Sequence, residues 1–232
     1  MKLKIASIVE SISGEVGRFP QGSWCTIVRF AGCNLRCPYC DTKGTWEDTE
    51  AIEMTPQEIV QKIQTQNVLI TGGEPLVQSE GLEELLTLLL KDLGKHVVQI
   101  ETNGSLPLTE KMTTLTQDSF VFLCWIIDYK GPSSKQEIGT FTEFVDRYKS
   151  VLFDANAVIK MVVASYQDLE EISKFRELFD AVPEAYIAFS PVDGNPYWVS
   201  LILDKCHDEF AYELAHSQII LSLQMHKLVD MP

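Results

Sequence analysis

The feature that most limits the fold is a repeated alternation. Short apolar runs end in polar or glycine-rich exits, and amphipathic stretches lie between them. "TIVRFAG" from Thr26 ends at Gly32. "NVLITGGEP", "HVVQIETNG", "FVFLCWIIDYKGPSS", "AVIKMVVA", "AYIAFSPVDG" and "IILSLQMH" follow. Between them "MTPQEIVQKIQ" opens as a helix, with Thr55 as N-cap, Pro56 at the first helical position and Glu58 completing a capping box. "GLEELLTLLLKDLG" is an apolar-faced helix closed by Gly94, and "YQDLEEISKFRELF" is another helix. Strands alternating with helices argue for an α/β fold of parallel units. About six mainly parallel strands fit a partial, open β/α barrel better than a flat doubly wound sheet, a choice that periodicity alone leaves open. No linker, low-complexity tract or repeat divides the 232 residues, so one domain over 1–232 is expected.

Composition narrows the function classes. A formal net charge of −14 disfavours a nonspecific grip on nucleic acid, which needs clustered Lys and Arg. It also gives no signal for an anionic membrane. The longest apolar run, "FVFLCWII", is too short to span a bilayer, and "MKLKIASIVESISGE" lacks the features of a secretory signal. The reading is a cytoplasmic protein, where thiols stay reduced and clustered cysteines point to metal rather than disulfide.

The unusual residues gather just after strands, where parallel α/β folds build sites. Foremost is "RFAGCNLRCPYCDTKGTW", which holds Cys33, Cys37 and Cys40. Cys25, Cys124 and Cys206 are scattered on apolar or helical segments and read as buried small hydrophobes. Thiolates suit zinc or iron–sulfur clusters. Structural zinc is four-coordinate, so a zinc site here needs a remote fourth ligand. Three thiolates can instead hold three irons of a 4Fe–4S cube and leave the fourth iron open.

The trio with Tyr39 before its last cysteine resembles the radical S-adenosylmethionine superfamily signature. "GGEP", Gly72 to Pro75, resembles that superfamily's second motif. Over nearly the whole chain the resemblance narrows to the 7-carboxy-7-deazaguanine synthase family. It is carried by "SISGEVG", "IVRFAGCNLRCPYCDT", "ITGGEP", "IETNG", "DYKGPSS", "SPVDG" and "LSLQMHKLVDMP". The resemblance implies a lyase of queuosine and other 7-deazapurine biosynthesis. In that reaction 6-carboxy-5,6,7,8-tetrahydropterin becomes 7-carboxy-7-deazaguanine with loss of ammonia. The hydrogen-abstracting radical comes from S-adenosylmethionine cleaved at the cluster's open iron.

The resemblance also implies residue roles. Cys33, Cys37 and Cys40 would ligate the 4Fe–4S cluster, and Thr42 would ligate Mg2+. S-adenosylmethionine would meet Tyr39, Cys40, Asp41, Gly73, Glu74, Asp128, Tyr129, Lys130, Ser190, Pro191, Val192 and Asp193. The pterin would meet Ile12, Ser13, Gly14, Glu15, Arg29, Thr71, His226 and Pro232, the last through its terminal carboxylate. No side chain acts as a catalytic residue on this reading. A flavodoxin- or ferredoxin-like electron donor and a homodimer are also implied, and neither nucleic acid nor membrane is a partner.

By residue type alone, bland readings stand beside these. Arg29 also reads as a surface charge, Glu15 as a solvated loop acid and His226 as a strand-end histidine. Pro232 reads as a chain end, Asp193 as a turn residue and Thr42 as a loop cap. The chain departs from the family pattern at Ser13, where Gln is usual, at Val16, which interrupts Gly-Glu-Gly, and at Asp128 and Tyr129, where Ser-Pro is usual. The rival functions are another small radical enzyme, such as a glycyl-radical activase, and a non-catalytic iron–sulfur or zinc module.

Overall fold

The structure is a computed structural model that describes residues 1–92, 94–119, 121–152 and 157–225. Its strands are β1 (Leu3–Ile12), β2 (Trp24–Phe30), β3 (Ile52–Met54), β4 (Asn67–Gly72), β5 (Val97–Thr102), β6 (Leu123–Tyr129), β7 (Ala157–Val163), β8 (Tyr186–Pro191) and β9 (Ile219–Leu221). They form one sheet in the order β3-β1-β2-β4-β5-β6-β7-β8-β9. From β2 through β4 to β9 neighbours are parallel, while β1 runs antiparallel to β2 and β3. The expected parallel set is therefore present, widened by two antiparallel strands at one edge. Its order never reverses, as a doubly wound sheet's does. Right-handed crossovers then keep the helices on one face, which is the open barrel-like winding expected.

The helices are α1 (Pro56–Lys62), α2 (Ser79–Leu89), α3 (Glu110–Asp118), α4 (Phe141–Leu152), α5 (Tyr166–Glu171), α6 (Phe175–Ala181), α7 (Pro196–Glu209) and α8 (Ala211–Ala215). α1 starts as its sequence dictates. Thr55 Oγ1 accepts the Glu58 N–H at 3.2 Å, and Glu58 Oε2 accepts the Thr55 N–H at 2.7 Å. α2 stops at Leu89, short of Gly94, which takes a positive φ of 91° further on. The single helix expected over "YQDLEEISKFRELF" is broken by a 3-10 turn, Ile172–Lys174, between α5 and α6. Ile172 and Phe175 are both fully buried. The tighter three-residue turn aligns two such side chains on one face.

Side chains alternate across the sheet. Val28, Phe30, Ile70, Ile100, Trp125, Ile127, Ile159, Met161 and Phe189 point to the helices and join the main core. The other face carries Arg29, Thr71, Asp128 and Lys160 toward the C-terminal strand ends, and Ile27, Leu69, Ile126, Val158 and Ala188 among its apolar members. The loop after β1 closes this face from below. Val16 packs on Cys124, Ile126, Val158 and Ala188. Gln99 pins that loop, accepting the Arg18 N–H at 3.1 Å and donating to the Val16 carbonyl at 3.3 Å. Open space is left at the C-terminal strand edge. Among the described residues no helix is long and apolar enough to cross a membrane.

Candidate active site

A cavity of about 530 Å³ lies at that edge, and the cysteine loop forms one wall. The loop is built tightly. Gly32 has a φ of 88°, and its N–H donates to the Thr45 carbonyl at 2.8 Å. The Cys33 N–H donates to the Trp46 carbonyl at 3.0 Å. Arg36 spans the bend, donating to the Cys33 and Leu35 carbonyls at 2.6 and 2.9 Å and pairing with Glu47 at 2.7 Å. Gly73 abuts this loop so closely that a Cβ there would lie 2.1 Å from the Gly32 carbonyl oxygen. The Gly-Gly of "GGEP" is thus a packing requirement as well as a turn signal.

Cys33, Cys37 and Cys40 all face the cavity. Cys33 Sγ accepts the Leu35 N–H at 3.5 Å and an Asn103 amide N–H at 3.8 Å, and Cys40 Sγ is 3.7 Å from Thr42 Oγ1. Burial pushes the Cys33 and Cys37 thiols up, and the neighbouring Cys40 adds to both. A bound metal supplies the positive charge that turns such thiols into ligands. Among the described residues no three His, Cys, Asp or Glu converge on a point fit for a single ion. A zinc ion would draw sulfurs in to about 2.3 Å, whereas a cluster spreads one cysteine to each iron. Three cavity-facing thiols, two with N–H or O–H groups beside the sulfur, fit a cluster.

The other expected residues fall into three groups. Many line the cavity: Ile12 at the end of β1, Gly14 and Glu15 after it, Tyr39, Asp41 and Thr42 around the cysteine loop, and Gly73 after β4. Asp128 and Lys130 enter from the end of β6, and Ser190, Pro191, Val192 and Asp193 from the end of β8. Arg29 and Thr71 are register partners on β2 and β4, so both reach it together.

Ser13, Glu74 and Tyr129 form the second group, which does not line the cavity. Ser13 is fully buried, and its hydroxyl donates to the Glu15 carbonyl at 3.2 Å. Glu74 is fully buried behind the wall and accepts from the Leu76 N–H, Thr102 Oγ1 and the Asn103 N–H at 2.9, 2.9 and 2.6 Å. Burial lifts its carboxyl to about 6 against the pull of those donors. It fastens the loop after β4 to the loop after β5. Tyr129 turns to the helix side. Its ring stands edge-on to Phe141, Phe144 and Phe175, and its hydroxyl donates to Glu171 at 2.8 Å. The third group, His226 and Pro232, lies outside the described residues.

Among the cavity residues that escaped the sequence reading, Glu101, Lys160 and Gln224 carry the polar network. Glu101 Oε2 accepts from Thr71 Oγ1 at 2.7 Å. Burial, then the charge of Glu15, raises its carboxyl to about 7. Lys160 Nζ pairs with Glu15 and lies 3.3 Å from Asp128 Oδ1. Burial opposes its charge, yet Asp128, Glu15 and Glu101 outweigh that and hold it protonated. Gln224 donates to Glu15 at 3.1 Å and to Asp41 at 2.8 Å, bridging the N-terminal loop and the cysteine loop. A lysine inside the apolar run "AVIKMVVA" was the available signal, because a charge in a strand covered on both faces needs partners.

Comparison with known proteins agrees with this geometry. The profile of the radical SAM superfamily matches residues 27–121. The 7-carboxy-7-deazaguanine synthase of Clostridium acetobutylicum is 34% identical over 236 residues, covering 100% of this chain and 98% of that protein. The chain belongs to the 7-carboxy-7-deazaguanine synthase family. Other relatives of that name match this family member almost end to end. The one from Methanospirillum hungatei is 32% identical over 99% of this chain and 86% of its own length. The one from Hyperthermus butylicus is 30% identical over 99% and 94%. The crystal structure of QueE from Escherichia coli shares the fold, with a TM-score of 0.63 at 22% identity, covering 97% of this chain and 95% of that one. For a member of this radical SAM family, a 4Fe–4S cluster and S-adenosylmethionine are the cofactors that the three-thiol wall has to accommodate.

Proposed function

We propose that this radical S-adenosylmethionine enzyme is a 7-carboxy-7-deazaguanine synthase, converting 6-carboxy-5,6,7,8-tetrahydropterin to 7-carboxy-7-deazaguanine with loss of ammonia in 7-deazapurine biosynthesis. The observation that carries the reading is the set of three thiols on the wall of one cavity, in a chain that matches its family over its full length. Cys33, Cys37 and Cys40 would hold the 4Fe–4S cluster and leave one iron open. When bound, the cluster and S-adenosylmethionine supply a carbon-centred radical that abstracts hydrogen.

The chain's own residues bind and orient. Tyr39, Asp41, Gly73, Asp128, Lys130 and the Ser190–Asp193 turn would surround S-adenosylmethionine. Glu74 and Tyr129 act from behind the wall, holding the loops that do so. Arg29 offers forked donors to the substrate carboxylate. Glu15 offers two acceptor oxygens to the N–H groups of the pterin, and Ile12, Gly14 and Thr71 complete its edge. Ser13 supports Glu15 through its carbonyl, and His226 and Pro232 would also contact the pterin. Thr42 would hold Mg2+, which favours neutral oxygens and keeps several waters. Thr42 lines the cavity beside the cysteine wall, and its hydroxyl donates to the Gly72 carbonyl at 3.3 Å, leaving its oxygen lone pairs for a cation.

The same reading carries a flavodoxin- or ferredoxin-like electron donor, a homodimer, a single domain and a cytoplasmic setting. Free thiols at all six cysteines agree with a reducing compartment. The test is anoxic incubation of cluster-loaded protein with 6-carboxy-5,6,7,8-tetrahydropterin, S-adenosylmethionine, Mg2+ and a reductant. The expected products are 7-carboxy-7-deazaguanine and ammonia. Protein loaded with iron and sulfide that leaves S-adenosylmethionine intact defeats the reading.

A further inference from the structure

Lys160 stands between the two carboxylates that the proposed function assigns to different ligands. It lies directly opposite Asp128 in the β6–β7 register, and its Nζ bonds Glu15 Oε2. The side chains of Lys160, Glu15 and Asp128 are only 7%, 11% and 18% exposed, so water does not screen the group. Each oxygen of Glu15 already accepts one donor, Oε2 from Lys160 and Oε1 from Gln224. Asp128 is held less evenly. Oδ2 accepts from Lys130 at 2.7 Å, while buried Oδ1 has the ion pair with Lys160 at 3.3 Å and no well-directed hydrogen bond among the described residues.

A ligand presenting paired N–H donors competes with Lys160 and Gln224 for the lone pairs of Glu15. A displaced Lys160 stays buried and must find another acceptor, because an unpaired buried charge is strongly disfavoured. Asp128 Oδ1 already shares an ion pair with Lys160 and takes no directed hydrogen bond among the described residues. An ammonium on a flexible stem reaches it by a small swing. Glu101 also attracts Lys160, but its Oε2 is already served by Thr71.

We propose that Lys160 is a positioning residue that couples the two ligands: it holds Glu15 in the free enzyme and passes to Asp128 Oδ1 when the pterin takes Glu15, setting the Asp128–Lys130 segment for S-adenosylmethionine. The inference rests on the functional reading above. By linkage, each ligand then tightens the other by the same factor.

The test is the affinity of cluster-loaded protein for S-adenosylmethionine, measured anoxically with and without saturating 6-carboxypterin, the oxidised analogue of the substrate. In the wild type the pterin should tighten S-adenosylmethionine by about 5-fold or more, the lower end of ordinary coupling. Lys160→Met should bring that ratio below about 2-fold with both ligands still bound, and Lys160→Arg should keep it. An unchanged ratio in Lys160→Met, or no coupling in the wild type, overturns the inference. If Lys160→Met does not fold, a crystal structure of the wild type with 6-carboxypterin decides. Lys160 bonded to Asp128 Oδ1 supports the relay, and Lys160 still bonded to Glu15 defeats it. Failure of 6-carboxypterin to bind the wild type defeats the functional reading as well, whereas binding without coupling defeats the relay alone.

Discussion

The two faces of one sheet have been put to opposite uses. The helix side is dry and apolar, from Phe30 through Trp125 to Phe189. The cavity side carries Arg29, Glu101, Asp128 and Lys160 within the same strands. Neighbouring residues in a strand therefore answer to different physics, hydrophobic burial on one side and compensated charge on the other. The contrast teaches that a strand's chemistry has a period of two. Asp128 and Lys130 belong to the site, and Tyr129 between them belongs to the core.

The strongest way to break the contrast is to touch the cysteine wall. Cys33→Ala is expected to abolish deazaguanine formation and lower bound iron and sulfide, with the thermal unfolding transition nearly unmoved. A variant that loses the fold together with the metal would show the two faces are not separable. On the helix side Trp125→Ala is expected to cost about 3–5 kcal/mol in denaturant unfolding, the usual toll for a large buried ring. Trp125 is fully buried and its indole N–H donates to Thr116 at 2.9 Å, so both packing and a bond are lost.

Glu101→Gln tests the charge on the cavity side. Glu101 keeps its proton in the fold up to about pH 7, while in the unfolded chain it ionises near the ordinary value of 4.5. Between those values the unfolded chain releases a proton that the folded one retains, so this group lowers stability as pH rises through that window. Removing the charge should raise stability at pH 8 by roughly 1–3 kcal/mol and leave pH 4 unaffected. Equal effects at both pH values would disprove the shift. The smallest effect is expected at Tyr129→Phe, which deletes the bond to Glu171. About 1 kcal/mol of stability should go, with product formation unchanged. A large loss of S-adenosylmethionine affinity there would move Tyr129 to the cavity side after all.

Much of this was legible in the sequence. The apolar runs with polar exits gave the parallel strands, because a buried strand needs both faces apolar until it reaches the site. Thr55 and Glu58 announced α1 through chemistry local to four residues. The edge was harder. β1 is shifted in register between Ile5 and Ser7, so "LKIASIVESI" does not alternate cleanly. The break at Ile172 depends on what the side chains meet across the core, which no local propensity records. At the site, the cysteine loop and "TGGEP" were visible as motifs. Glu74 and Tyr129 were visible as letters but not as directions, and the orientation of each is set by partners far along the chain, Asn103 and Glu171. Lys160 and Gln224 matter through Glu15, a relation between residues 145 and 209 positions apart that only the folded chain creates.

The stitching of residues 222–225 to the loop after β1 joins distant parts of the chain at the cavity rim. Ser222 accepts the Val16 N–H, Gln224 reaches Glu15 and Asp41, and the Met225 N–H donates to the Gly14 carbonyl. The cysteine loop and this seam come from stretches that strands β3 to β9 separate in the chain. Gln224 is thus a clasp shared by two walls, and loosening it would release Glu15 and Asp41 together.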